Sequence, residues 1–117
     1  MRNKTFQLTD EDRQRVEEFR SQHKTGVLTI LFTDMVGATA LKDELGDTVG
    51  SSLISEHQKI IRELIPQFID AQEIDTAGDS FLIVFTRPSD AVRFSLLLHS
   101  RLRLVSAKTS KDRKSVV

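Results

Sequence analysis

Two aspartates stand in glycine-containing stretches, each beside an apolar run. Asp34 lies in Phe32-Thr33-Asp34-Met35-Val36-Gly37-Ala38-Thr39, after Val27-Leu28-Thr29-Ile30-Leu31. Asp79 lies in Glu73-Ile74-Asp75-Thr76-Ala77-Gly78-Asp79-Ser80, before Phe81-Leu82-Ile83-Val84-Phe85. The apolar runs read as buried strands. A carboxylate at the mouth of a buried strand is costly unless something pairs with it. Two such carboxylates, if brought together, could hold a hard divalent cation. The glycine beside each lets backbone approach a ligand closely.

The elements that must position this pair can be read along the chain. Thr9 is a suitable N-cap, with Asp10, Glu11 and Asp12 in a first turn whose dipole favours acids. That helix is expected to run to about His23. Its apolar residues are few, Val16 and Phe19 with Leu8 at the entrance. One face this thin holds a helix poorly, so a solvated leader is expected, with a linker, part of a signalling helix or a partner-bound helix as alternatives. A strand from Val27 to Thr33 is apolar nearly throughout, as for a central strand covered on both faces. Thr39 to Leu45 reads as a short helix ended by Gly46-Asp47. A long helix follows from about Thr48 to Phe68, with Val49, Leu53, Ile54, Ile60, Ile61, Leu64, Ile65 and Phe68 on one stripe. Pro66 should bend or end it. Gln72–Thr76 and Phe81–Phe85 form a hairpin about Gly78-Asp79. Ser89 is expected to cap a last helix reaching about Val105, with Ala91, Val92, Phe94, Leu97, Leu98 and Leu102 facing the core.

The order strand, helix, helix, strand, strand, helix predicts an α+β, ferredoxin-like βααββα sandwich with helices on one face of the sheet. In that topology the first strand can lie beside the hairpin, bringing Asp34 and Asp79 to one end. The expected divisions are residues 1–24 as a polar helix or linker, 25–105 as the folded domain and 106–117 as a disordered basic tail.

Composition bounds the function. The 117 residues allow one domain, and 17 basic against 17 acidic residues leave no global field to draw nucleic acid. Cysteine is absent, which excludes disulfides and thiolate metal sites and fits a reducing, cytoplasmic location. No apolar stretch approaches the roughly 20 residues of a spanning helix. His23, His57 and His99 have no ligand spacing and read as surface or helix-face residues.

The two aspartate motifs resemble those of the class III adenylate and guanylate cyclase catalytic domain. The first is similar to that family's metal-binding loop, Phe-x-Asp-x-x-Gly-x-Thr, and the second to its hairpin, Thr-x-Gly-Asp. The resemblance covers roughly Thr25 to Leu104. It implies conversion of ATP to cyclic AMP and pyrophosphate with two ions, Mg2+ or Mn2+. Asp34 and Asp79 match the metal aspartates, and Met35 the position whose backbone carbonyl adds a ligand. Val36, Gly37, Ala38 and Thr39 match the loop whose amides cradle the β- and γ-phosphates, apt for a loop opening a helix. Asp75 matches the purine-selecting position. Aspartate there is an acceptor when ionised, able to take hydrogen bonds from guanine or from the adenine amine; similarity of Ile74-Asp75-Thr76-Ala77-Gly78-Asp79 to the stretch in adenylate cyclases is what implies ATP ahead of GTP.

The family's Val-Asn-x-Ala-x-Arg segment has no counterpart in these residues. Its Asn orients the ribose, and an Arg of that kind is worth orders of magnitude in phosphoryl transfer. The resemblance therefore implies the N-terminal, metal-binding portion of a cyclase domain, truncated before its last strands and weak or inactive alone. The open sheet edge predicts a homodimer, a swapped assembly or pairing with a complete cyclase subunit. The alternative is a non-catalytic cyclase-fold regulatory or dimerisation module. A diguanylate-cyclase-like transferase is disfavoured, because no Gly-Gly-Asp/Glu-Glu-Phe signature is present.

Overall fold

The computed structural model describes residues 8–24, 26–34, 43–77 and 80–112, with side chains to residue 104. The elements are α1 (Asp10–His23), β1 (Thr29–Thr33), α2 (Asp47–Leu64), a 3-10 turn (Ile65–Gln67), β2 (Gln72–Ala77), β3 (Ser80–Phe85) and α3 (Pro88–Asp112). Residues 43–45 also have helical backbone, and the rest of the short helix expected before Gly46 lies outside the described residues.

The three strands form an antiparallel sheet in the order β1-β3-β2. β3 is central, and all six of its residues are buried. β1 was expected to be central and covered on both faces. Among the described strands it lies instead at the edge, and its side chains alternate, with Ile30 and Phe32 exposed. Its run is nearly as apolar as that of β3, broken only by Thr29 before Thr33, so composition alone does not tell edge from centre.

α2 and α3 cover one face. Their core holds Ile60, Ile61, Leu64, Phe81, Ile83 and Leu98 around three packed rings. Phe85 lies 5.5 Å from Phe94 and 6.1 Å from Phe68, centroid to centroid. Such tilted and edge-on pairs add to the burial of the rings themselves. Pro66 acts as expected: the α-helix gives way at Ile65 to a 3-10 turn containing it. The helical stripes are narrower than predicted. Val49, Val92 and Leu97 are exposed, whereas His57, expected at the surface or on a helix face, is buried in α2. α3 begins at Pro88, with Arg87 rather than Ser89 as its cap, since the Asp90 and Ala91 amides donate to the Arg87 carbonyl. Proline suits that first helical position. The helix also runs past the expected end near Val105, through a stretch without Gly or Pro.

The sheet carries a helix on its other face too. α1 has the expected cap in full: Asp12 N donates to Thr9 Oγ1 at 2.9 Å, and Thr9 N donates to Asp12 Oδ2 at 3.2 Å. It is not a solvated leader. Val16 and Phe19 are buried against Ile74, Leu82 and Val84. Among the described residues, no helix is long and apolar enough to cross a membrane.

Candidate functional site

β1 ends where β3 begins. Thr33 pairs with Phe81, so Asp34, one residue on, meets Ser80. Ser80 Oγ donates to Asp34 Oδ1 at 3.0 Å. Ser80 is 1% exposed, while Asp34 opens to solvent at the strand end. A buried hydroxyl thus aims an accessible carboxylate. The residue before Ser80 in the chain is Asp79, which lies outside the described residues, as do Met35, Val36, Gly37, Ala38 and Thr39. An exposed, oriented carboxylate supplies the hard oxygen that Mg2+ or Mn2+ prefers, so Asp34 fits such an ion. Among the described residues, no group of three or more His, Cys, Asp or Glu is gathered as a metal cluster.

A bulge in β2 decides where Asp75 goes. Glu73 pairs with Ile83 and Asp75 with Leu82, leaving Ile74 as the extra residue. The bulge puts Glu73 and Thr76 toward α2 while Ile74 and Asp75 both face α1. On the α2 side, Arg62 grips Glu73 with two bonds, Nε to Oε1 at 3.0 Å and Nη2 to Oε2 at 2.9 Å. Thr76 Oγ1 also donates to Glu73 Oε2. The Arg62 hydrogen bond is the main reason the Glu73 carboxyl is held below its ordinary range, helped by Thr76 and opposed by burial. The Arg62 guanidinium also stands 5.3 Å from the Phe81 ring centre, tying α2 to both hairpin strands.

On the α1 side, Asp75 is half-buried, and its carboxyl is pushed above its ordinary range. Burial is the largest cause, followed by a hydrogen bond with the Asp12 carboxyl and then by the Asp12 charge. The Thr76 backbone and Arg15 pull the other way. Arg15 Nη1 itself donates to the Ile74 carbonyl at 2.8 Å, across the bulge. Strand alternation places Asp34, Phe32, Leu82 and Asp75 on the face opposite α2 and α3.

The sequence matches the family described as the adenylate and guanylate cyclase catalytic domain over residues 20–115. The chain belongs to that family. Cyclase domains of this family generally use divalent metal ions, bind nucleoside triphosphates and work as dimers. The chain is 37% identical over 81 residues to "Receptor-type adenylate cyclase GRESAG 4.3" of Trypanosoma brucei brucei, covering 68% of this chain and 6% of that protein. It is 33% identical over 75 residues to "Receptor-type adenylate cyclase B" of Leishmania donovani, covering 64% of this chain and 6% of that protein. The chain therefore spans a small part of these cyclase relatives.

Sequence reasoning placed none of Ser80, Asp12 and Arg15 in the candidate site. Ser80 carried a signal, a hydroxyl opening an otherwise apolar strand. Asp12 read as a first-turn acid favoured by the helix dipole; the structure adds its bond from Thr9 N, and its contact with Asp75 depends on the bulge at Ile74.

Proposed function

We infer that this segment is the metal-binding half of a nucleotide cyclase site, acting on ATP to give cyclic AMP and pyrophosphate once a second half completes it. The observation that carries the reading is the Ser80–Asp34 hydrogen bond, which ties the end of the first motif to the residue after Asp79. Asp34, Asp79 and the Met35 carbonyl would hold two Mg2+ or Mn2+ ions, which when bound supply Lewis acidity toward the ribose 3′ hydroxyl and neutralise triphosphate charge. Amides of Val36 to Thr39 would bind the β- and γ-phosphates, leaving pyrophosphate in line with the attack. Asp75 would meet the purine edge, accepting from the adenine amine. The ribose-orienting Asn and charge-stabilising Arg would come from the complementing half, so the chain alone turns over slowly.

Complementation tests this. The chain is incubated with ATP or GTP and Mn2+ or Mg2+, with and without a cyclase subunit that carries the second half but lacks its own metal aspartates. Product is expected only in the mixture, with ATP preferred, and is lost in Asp34→Ala and Asp79→Ala. Absence of metal-nucleotide binding, unchanged by either substitution, would refute the reading. A second reading, a non-catalytic module that pairs with a complete cyclase subunit, is favoured by Ile30 and Phe32, which leave the β1 side of the sheet face exposed. It predicts association in sedimentation without product in any mixture.

A further inference from the structure

α1 lies on the part of the sheet that the proposed site needs open. It covers the β2 side of the face bearing Asp75, while Ile30 and Phe32 on the β1 side stay 37% and 39% exposed. Asp12, itself 5% exposed, faces the half-buried Asp75, and Arg15 of the same helix donates to the neighbouring Ile74 carbonyl at 2.8 Å. The docked helix thus places its own acid against the side chain read as meeting the purine.

The grip is weak for a 14-residue helix. Its buried apolar side chains are Val16 and Phe19, with Leu8 partly buried at its entrance. Toward the C-terminal end His23 Nε2 lies 3.2 Å from Asp70 Oδ1, a contact open to solvent. Near the N-terminal end one carboxyl faces another, with Arg15 alongside. The opposite layer is far better anchored, with three rings and the buried aliphatics of α2, β3 and α3. An element with few buried contacts opens at lower cost than the core.

We propose that α1 is a displaceable cover: docked, it hides Asp75 from an incoming purine nucleotide, and undocked, it presents it. This rests on the reading of Asp75 as the purine-selecting residue and names the regulation of that site. The helix stands immediately ahead of β1, so a pull on it from the N-terminal side would be transmitted directly to the cover.

The chain has no cysteine, so one introduced thiol reports without background. Ile74→Cys places it on β2 beneath α1, and Ile61→Cys places it on the core-facing side of α2. Under native conditions a thiol reagent should label position 74 at least about 100-fold faster than position 61. Asp12→Asn, which removes one of the two facing charges, should slow labelling at 74. Phe19→Ala should speed it without altering 61, and should raise turnover with the complementing subunit several-fold. Equal labelling rates at 74 and 61 would overturn the proposal, because α1 would then open only with the whole domain. Faster labelling in Phe19→Ala with unchanged turnover would overturn the covering role. If Phe19→Ala unfolds the domain, the 74-to-61 ratio and the Asp12→Asn arm still decide. Turnover absent from every variant would count against the catalytic reading, and the labelling contrast would stand apart from it.

Discussion

The Ser80–Asp34 contact gives the sharpest test of how the first motif is positioned. Ser80→Ala removes one hydroxyl from a site 1% exposed and leaves a methyl group that fits the same space. A hydrogen bond to a charged group is worth about 1.5–3 kcal/mol net. Asp34 is exposed, so its carboxylate regains water when the hydroxyl goes, and the methyl group is no worse in an apolar setting. Both effects push the loss below that range, to about 1 kcal/mol. The chain has no Trp or Tyr, so urea unfolding is followed by circular dichroism. The single variants Ser80→Ala and Asp34→Ala and the double variant form a cycle, whose coupling should be about 1 kcal/mol. Orienting partners of metal ligands typically change affinity by 10–100-fold, so Mn2+ binding measured by titration should weaken about tenfold in Ser80→Ala. Zero coupling, or Mn2+ affinity that Asp34→Ala abolishes and Ser80→Ala leaves untouched, would refute the argument that Ser80 aims this carboxylate.

Other expectations follow from the same geometry. Phe94→Ala empties the centre of the ring cluster and should cost about 3–5 kcal/mol, a large share of a small domain's stability, read as a drop in urea midpoint. Glu73, held below its ordinary 4.5, contributes stability that is full above that pH and is lost as pH falls through its lower folded value. Arg62 is half-exposed, so the amplitude should stay below about 1 kcal/mol, and Glu73→Gln should flatten the stability profile below pH 4.5. Asp75 has the opposite sign: its carboxyl is raised above 3.8, so a destabilising contribution is absent below that pH and grows as pH rises through the folded value. Asp75→Asn should therefore stabilise the chain at pH 7 relative to pH 3, measured by the same unfolding assay.

Much of the architecture was legible because it is written in local signals. The Thr9 cap, the break at Pro66 and the Gln72–Phe85 hairpin each depend on residues within a few positions of one another. What was not legible depends on long-range choice. The run leading into β1 reads as buried much as β3 does, and only assembly makes one the edge and the other the centre among the described strands. The two-residue stripe of α1 looked too thin to dock, but the apolar face formed by Ile74, Leu82 and Val84 accepts it. Of the candidate site, the position of Asp34 at a strand end was legible from the apolar run before it, and the β1–β3 register sets it against Ser80. The environment of Asp75 was not, because the bulge that turns it toward Asp12 inserts one residue without a sequence signal such as glycine.

The strand order also sets a timetable for synthesis. β1 leaves the ribosome first, yet its only sheet neighbour among the described strands is β3, roughly 50 residues later. At ordinary translation rates β1 waits on the order of several seconds with its ladder groups unpaired and Ile30, Leu31 and Phe32 uncovered. α2 can form locally in that interval, but it has no sheet to pack on until β3 arrives. The first aspartate motif therefore hangs on a strand that is a nascent-chain hazard until the second motif is made, and expression of this domain should be more sensitive to chaperone supply than its size suggests.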